Sequence, residues 1–410
     1  MAATCGVCTG CARYEHKAHG WTALMIACGD GHIECVRKLV VAGAALDARD
    51  VSGKTALMFA CYNGRCGCVR ELVAAGAALD ARDVDGQTAL MAACYNGHCD
   101  CVRELVAASV ALDDCDVSGQ TALMLACIGN HCVCVCELAA AGAALDERTV
   151  NGWTALMFAC NRNRGACVRE LVAAGAALDE HDSDGMTALM FASRDGYIER
   201  VRELVTAGAA LDARNVSGMT ALMCACRDGH SACVRELVAA GAALDVCATC
   251  EWTALMYACR YGCRYGPSEC VRALVAAGAE LDKRDGKGRT ASEIAWNKVT
   301  ESVIVIERAR AMRAMYGCAR VLLMGGRHGP GGAAACVRHV LSSVVFVVPL
   351  VAACVRRGRC VESRATCETV VFGATADVTR REDEHVEVWK QRRRRVWAAC
   401  LFSDSHVLSV

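Results

Sequence analysis

The chain has 410 residues, with 45 Lys plus Arg against 45 Asp plus Glu, so its formal net charge is zero. Such a balance excludes a global electrostatic field directed at nucleic acid or an anionic membrane. The 32 cysteines would mean a disulfide scaffold in a short secreted protein, but here they have to be judged by position.

In chain order, Met1-Ala2-Ala3-Thr4-Cys5-Gly6 lacks the continuous apolar run of a secretory signal. Residues 1–19 read as a disordered, cysteine-rich leader. Cys5, Cys8 and Cys11 recur every third position with His16 and His19 downstream. Thiolates and imidazoles can ligate zinc, but this spacing is not that of a closed zinc site. Neither a metal nor any other cofactor is expected.

From Thr22 the chain repeats itself. Thr-Ala-Leu-Met returns at Thr55, Thr88, Thr121, Thr154, Thr187, Thr220 and Thr253, each 33 residues after the last, and Thr290-Ala291-Ser292-Glu293 follows as a degenerate ninth copy after 37. Self-similarity at this period predicts a solenoid, which lengthens without enlarging its core, so length gives no domain count.

The second copy shows how one unit is specified. Asp50-Val51-Ser52-Gly53-Lys54 is turn chemistry, and Thr55 can offer its hydroxyl to free backbone N–H groups of a first helical turn. Leu57, Met58 and Cys61 keep helical spacing up to the breaker Asn63-Gly64. Cys68, Val69, Leu72 and Val73 make one apolar stripe of a second helix, predicted over residues 68–75, with Arg70 and Glu71 facing away. Gly76 supplies a left-handed stop, and Ala77-Ala78-Leu79-Asp80 leads to the next turn. Neither helix is long enough to be stable alone in water, so stability must come from neighbouring copies.

Gly-x-Thr-Ala-Leu-Met-x-Ala-Cys, then Gly-His (Gly31-His32, Gly97-His98, Gly229-His230), then Val-Arg-Glu-Leu-Val-Ala-Ala-Gly-Ala resembles the ankyrin repeat pattern in phase over about residues 20–310. The resemblance implies an all-α solenoid of helix-turn-helix units with hairpin loops, stacked into a curved array with a concave binding face. Eight full repeats and a C-terminal capping repeat are expected over 20–310. There are two systematic departures. The family's Pro is Ala here (Ala23, Ala56, Ala89), and its His is Met (Met25, Met58, Met91). Losing Pro frees the unfolded chain. Losing His removes what in the family is a polar link between units, so an array held more by packing than by hydrogen bonds is expected.

Seven cysteines share one site on the first helix (Cys28, Cys61, Cys94, Cys127, Cys160, Cys226, Cys259, with Ser193 in the gap). Seven more share one on the second (Cys35, Cys68, Cys101, Cys134, Cys167, Cys233, Cys270, with Arg200 in the gap). Placed where the family uses Ala and Val, these read as small buried hydrophobes. Reduced thiols in the cytoplasm, or alternatively the nucleus, are therefore expected.

Positions that vary between copies are the candidate site. The residue after the turn glycine includes Trp21, Lys54, Gln87 and Trp153, with Trp252 after Glu251. The pair closing the first helix includes Tyr62-Asn63, Tyr95-Asn96, Asn161-Arg162, Arg194-Asp195, Arg227-Asp228 and Arg260-Tyr261. The resemblance places both rows on the concave side. Tyr, Trp and Arg dominate interface hot spots, so the expected partner is another protein, mixed apolar and polar toward the first copies and acidic toward the later ones. The alternative reading pairs Arg194, Arg227 and Arg260 with nearby Asp. On the second helices, Arg70-Glu71, Arg103-Glu104, Arg169-Glu170, Arg202-Glu203 and Arg235-Glu236 suggest a ladder of weak surface pairs.

Local damage to the pattern follows. Ser109-Val110 replaces Gly-Ala at a helix end, Cys136 replaces an outward Arg, and Glu251 replaces a turn glycine beside Cys247 and Cys250. Tyr261-Gly262-Cys263-Arg264-Tyr265-Gly266-Pro267 lengthens the turn between the helices of copy eight. Gly288 to Trp296 opens the last copy, with Val303 to Arg308 as its second helix. The tail 311–410 holds a Gly-rich linker (Gly325 to Gly332), an uncharged apolar run over 340–355 interrupted by Pro349, and the basic cluster Arg392 to Arg395. A run of that length falls short of the roughly 17 to 25 residues a span needs.

No Ser/His/Asp set, paired carboxylates or nucleotide loop stands out. The expected function is a non-enzymatic scaffold or adaptor binding a protein on its concave face, without a small-molecule substrate or nucleic acid. The rival is a membrane-associated adaptor tethered through 340–355.

Overall fold

A computed structural model describes residues 20–261 and 269–295. The leader with Cys5, Cys8 and Cys11, the inserted turn after Tyr261, the second helix of the last copy, the apolar run 340–355 and the basic cluster lie outside the described residues. Among the described residues no helix is long and apolar enough to cross a membrane.

The repeat rule produces paired helices. The first helix of each copy is α1 (Ala23–Asp30), α3 (Ala56–Tyr62), α5 (Ala89–Asn96), α7 (Ala122–Gly129), α9 (Ala155–Asn161), α11 (Ala188–Arg194), α13 (Ala221–Asp228) and α15 (Ala254–Arg260). The second helices are α2 (Ile33–Val41), α4 (Cys66–Ala74), α6 (Cys99–Ala107), α8 (Cys132–Ala140), α10 (Gly165–Ala173), α12 (Ile198–Thr206), α14 (Ser231–Ala239) and α16 (Glu269–Ala276). The one-turn helix α17 (Ala291–Ile294) opens the last copy. First helices pack on first helices and second on second, giving two layers. Helix α4 begins two residues earlier than its apolar stripe, because Cys66 and Gly67 complete its first turn.

Each first helix starts where its Thr turns the chain. The backbone N–H of the Met three residues on donates to the Thr Oγ1 at 3.2–3.4 Å in all eight copies. This satisfies one of the donors that a helix start leaves free. In copies one to three the Met sulfur also accepts the Thr N–H at 3.3–3.5 Å. Met25, Met58 and Met91 thus act as cap acceptors as well as fillers. The turn before the Thr is held by Asp50, whose Oδ1 accepts the N–H groups of Ser52 and Lys54 at 2.9 and 2.8 Å. Copy eight has Ala248 at that position, without a side-chain acceptor, and Glu251 in place of the turn glycine, and Glu251 adopts φ 59°. Ser109 likewise takes the left-handed conformation (φ 61°) that Gly76 (φ 81°) adopts one copy earlier.

The core is the Ala-Leu-Met and Cys positions of the first helices against the Cys, Val and Leu positions of the second, nearly all fully buried. Hydrogen bonds between units accompany this packing. The Val84 N–H donates to the Ser52 carbonyl at 3.0 Å, Val117 to Asp85 at 3.0 Å and Val216 to Asp184 at 2.9 Å, linking successive hairpins. Asp47, Asp113, Asp146 and Asp179 each accept a backbone N–H from the following copy at 2.8 Å. His98 reaches the Tyr62 carbonyl at 3.0 Å, and Arg65 donates to the Gly29 carbonyl at 3.1 Å.

On the outer layer, Arg37–Glu71, Arg70–Glu104, Arg103–Glu137, Arg169–Glu203 and Arg202–Glu236 bridge neighbouring copies. The expected ladder is present, with rungs missing where Cys136 replaces Arg and where Ala273 stands in place of the Glu that would face Arg235.

Candidate functional site

The hairpins set the residue after each turn glycine beside the inner face of the first helices. The Trp21 indole N–H donates to Asp50 Oδ2 at 3.2 Å and its ring meets Phe59 edge-on at 5.3 Å. Trp153 lies between Phe158 (4.9 Å) and Phe191 (4.5 Å), and Trp252 against Tyr257 (5.2 Å) and Tyr261 (5.9 Å). Each Trp therefore rests on the residue between Met and Ala of a Thr-Ala-Leu-Met-x-Ala-Cys segment.

That row, which includes Ile26, Phe59, Ala92, Phe191, Cys224 and Tyr257, is the part of the site that the sequence reading missed. The signal was available. It is the one freely variable position inside a seven-residue segment whose only other change is Ser193 for Cys.

In copies one to three the face is open. Hairpin residues Trp21, Lys54, Asp83 and Gln87 and first-helix residues Ile26, Asp30, Phe59, Tyr62 and Asn63 line one cavity of about 580 Å³. Tyr62 is 55% exposed and Tyr95 50%. The Lys54 ammonium stands 5.9 Å from the Tyr62 ring centroid, in the range of a cation–π contact. Asn63 and Asn96 each donate a side-chain amide to the carbonyl four residues back, of Phe59 and Ala92, at 2.9 Å. Their role in the helix ends is thus fixed before any partner arrives.

Copies six to eight are closed upon themselves. Phe191 is 2% exposed, with the Arg194 guanidinium 4.9 Å over its ring. Arg194 also pairs with Asp195 at 2.9 Å, and Arg227 with Asp228 at 2.9 Å. Asp195 further accepts from Asn161 at 3.1 Å. The two cations carry their own counter-ions, in line with the Asp-pairing alternative. Arg260 stands 5.9 Å from the Tyr261 ring, and Tyr257 donates to or accepts from Cys250 at 3.5 Å. Burial, with the nearby Cys250 thiol second, pushes the Tyr257 hydroxyl above the usual phenol range. Arg162 is exposed at the end of α9.

Thus Trp21, Tyr62 and Asn63 share one cavity in the early copies, whereas Trp252, Arg260 and Tyr261 form a separate aromatic cluster in copy eight. What the early half offers chemically is apolar and aromatic area rimmed by Lys54, Asp30 and Asp83.

Comparison with known proteins gives a consistent family. A family model described as ankyrin repeats (3 copies) matches over residues 7–83, 76–149, 134–215 and 196–285. Among solved structures, the human ASB11 ankyrin repeat domain is similar at 26% identity, covering 54% of this chain and 98% of that one, with a TM-score of 0.48. No curated protein matches the chain. With family matches running through most of the array whose caps, turns and stacking are set out above, the chain belongs to the ankyrin repeat family.

Proposed function

We propose that this chain is a scaffold or adaptor that binds another protein on its inner face, centred on copies one to three. Ankyrin repeats are in general protein–protein interaction modules, and the family is typically non-enzymatic. The observation that supports this reading is the half-exposed Tyr62 on the cavity it lines with Trp21, Phe59 and Asn63, with Tyr95, also half-exposed, at the equivalent position of the next copy. Aromatic area already supported by a rigid helix is buried at low entropic cost, which is the character of a hot spot. Trp153, Arg162, Arg194, Arg227, Trp252, Arg260 and Tyr261 form the outer reach of the same face. The acidic partner region expected over the later copies is weakened by Asp195 and Asp228, which neutralise Arg194 and Arg227 at close range.

Affinity capture with the full chain tests this reading. Proteins retained by the wild type should be lost with the double variant Tyr62→Ala/Tyr95→Ala and kept with Arg70→Glu/Arg103→Glu on the outer layer. The reverse pattern would move the binding face to the second helices.

A further inference from the structure

A cysteine outside the two core rows meets one of them. The Cys99 Sγ, at the first residue of α6, lies 3.1 Å from the Cys134 Sγ of α8, one copy further on. Cys99 is partly exposed, whereas Cys134 is fully buried. The Cys99 thiol donates to the Gly97 carbonyl at 3.5 Å, which leaves its sulfur lone pairs toward Cys134. The same step of 35 residues relates Cys66 to Cys101 in copies two and three. Copies one, five, six and seven have Ile33, Gly165, Ile198 and Ser231 at this first helical position, whereas copies two to four carry the partly exposed Cys66, Cys99 and Cys132 there.

We propose that Cys99 and Cys134 form a modification site for hydrogen peroxide, whose product is a disulfide that fastens copy three to copy four. A disulfide sets its sulfurs about 2.05 Å apart, so about 1 Å of approach remains, which side-chain rotation can supply. In the first step the Cys99 thiolate attacks a peroxide oxygen. The O–O bond breaks, hydroxide leaves and takes up the thiol proton as water, and Cys99 becomes a sulfenic acid. In the second step the Cys134 sulfur attacks the sulfenic sulfur. The S–O bond breaks, and the departing hydroxide leaves as water with the Cys134 proton. Two thiols are oxidised by two electrons in all, and one peroxide is reduced to two waters. Access orders the steps, since Cys99 meets solvent and Cys134 does not. Burial pushes the Cys134 thiol above the ordinary thiol range, which keeps it protonated and inert until the sulfenic acid is beside it.

The test uses the full chain, reduced and then exposed to stoichiometric hydrogen peroxide. Free thiols are alkylated, the protein is digested without reductant, and linked fragments are sequenced by mass spectrometry. Cys99 should be joined to Cys134 first, and the thermal midpoint should rise by about 5 °C. Cys99→Ser, at a partly exposed position, should keep the circular dichroism of the wild type and lose the rise. Recovery of Cys99 as a sulfinic acid, its attachment to another thiol, or an unchanged midpoint in the cross-linked wild type would each overturn the proposal.

Discussion

Copies one to three and copies six to eight obey one 33-residue rule yet finish the inner face in opposite ways. In the early copies Ile26, Phe59 and Ala92 stay partly open and Tyr62 and Tyr95 stand in solvent. In the later ones Phe191, Cys224 and Tyr257 are buried, and Arg194 folds over Phe191. The repeat fixes where a side chain emerges. Its neighbours fix whether that apolar area is spent inside the chain or left for a partner, at roughly 25 cal/mol for each Å² removed from water. Between the halves, copies three to five hold the irregular positions Ser109, Asn130, Cys136 and Asn163.

The contrast is most exposed to a pair of core substitutions. Phe191→Ala should cost about 3–4 kcal/mol of stability in denaturant unfolding, and Phe59→Ala only about 1 kcal/mol, since Phe59 retains solvent contact. Equal losses would erase the distinction between a closed and an open half. Next in size, the affinity for a captured partner should fall about 30-fold in Tyr62→Ala/Tyr95→Ala, with unfolding almost unchanged. Titration calorimetry reads this directly, and a larger fall in Arg194→Ala would shift the site to the closed half.

At the seam, Ser109→Gly relieves a left-handed serine and should stabilise by about 0.5 kcal/mol, the strain relief exceeding the added freedom of the unfolded chain. A loss instead would mean that the serine is held by contacts stronger than its backbone strain. Acid sharpens the comparison from the C-terminal side. The Arg289 side chain, ahead of the backbone N–H groups of Arg289 and Lys287, holds the Asp285 carboxyl at about 2, below its ordinary 3.8. A depressed carboxyl contributes stability that is complete above its ordinary value and is lost as pH falls through the lowered one. The amide protection factors over residues 285–294, corrected for intrinsic exchange, should therefore fall between pH 4 and pH 2. Flat protection across that window would remove Asp285 as the anchor of the last hairpin. The smallest effect is expected for Cys136→Arg, which restores the missing outer rung opposite Glu170 and should raise the midpoint by less than about 1 °C. A fall would show that Cys136 is doing more than leaving a gap.

Much of this was legible in the sequence. Thr22 and its seven equivalents announce the helix starts, Asn63-Gly64 the end of α3, and Ser109 and Glu251 the places where a glycine is lost. These features depend on residues a few positions apart, which one chain displays in full. The exposure of Tyr62 against the burial of Phe191 was not legible, because it depends on side chains 30 to 40 residues apart that only stacking brings together. Arg194 reads the same whether it faces a partner or its own Asp195. The sulfur of Met58 reads as an apolar filler until its cap geometry is seen.

By itself, then, the sequence determined the unit: its length, its two helices, its turns and the rows of residues that must be buried. The tertiary structure decided what the rows do to one another, setting Cys99 against Cys134, Trp153 against Phe191 and Asp47 against the backbone of the next copy. The division follows from range. Local hydrogen bonds and backbone preferences are written within one period, whereas burial, pairing and exposure arise only when a second period is laid on the first.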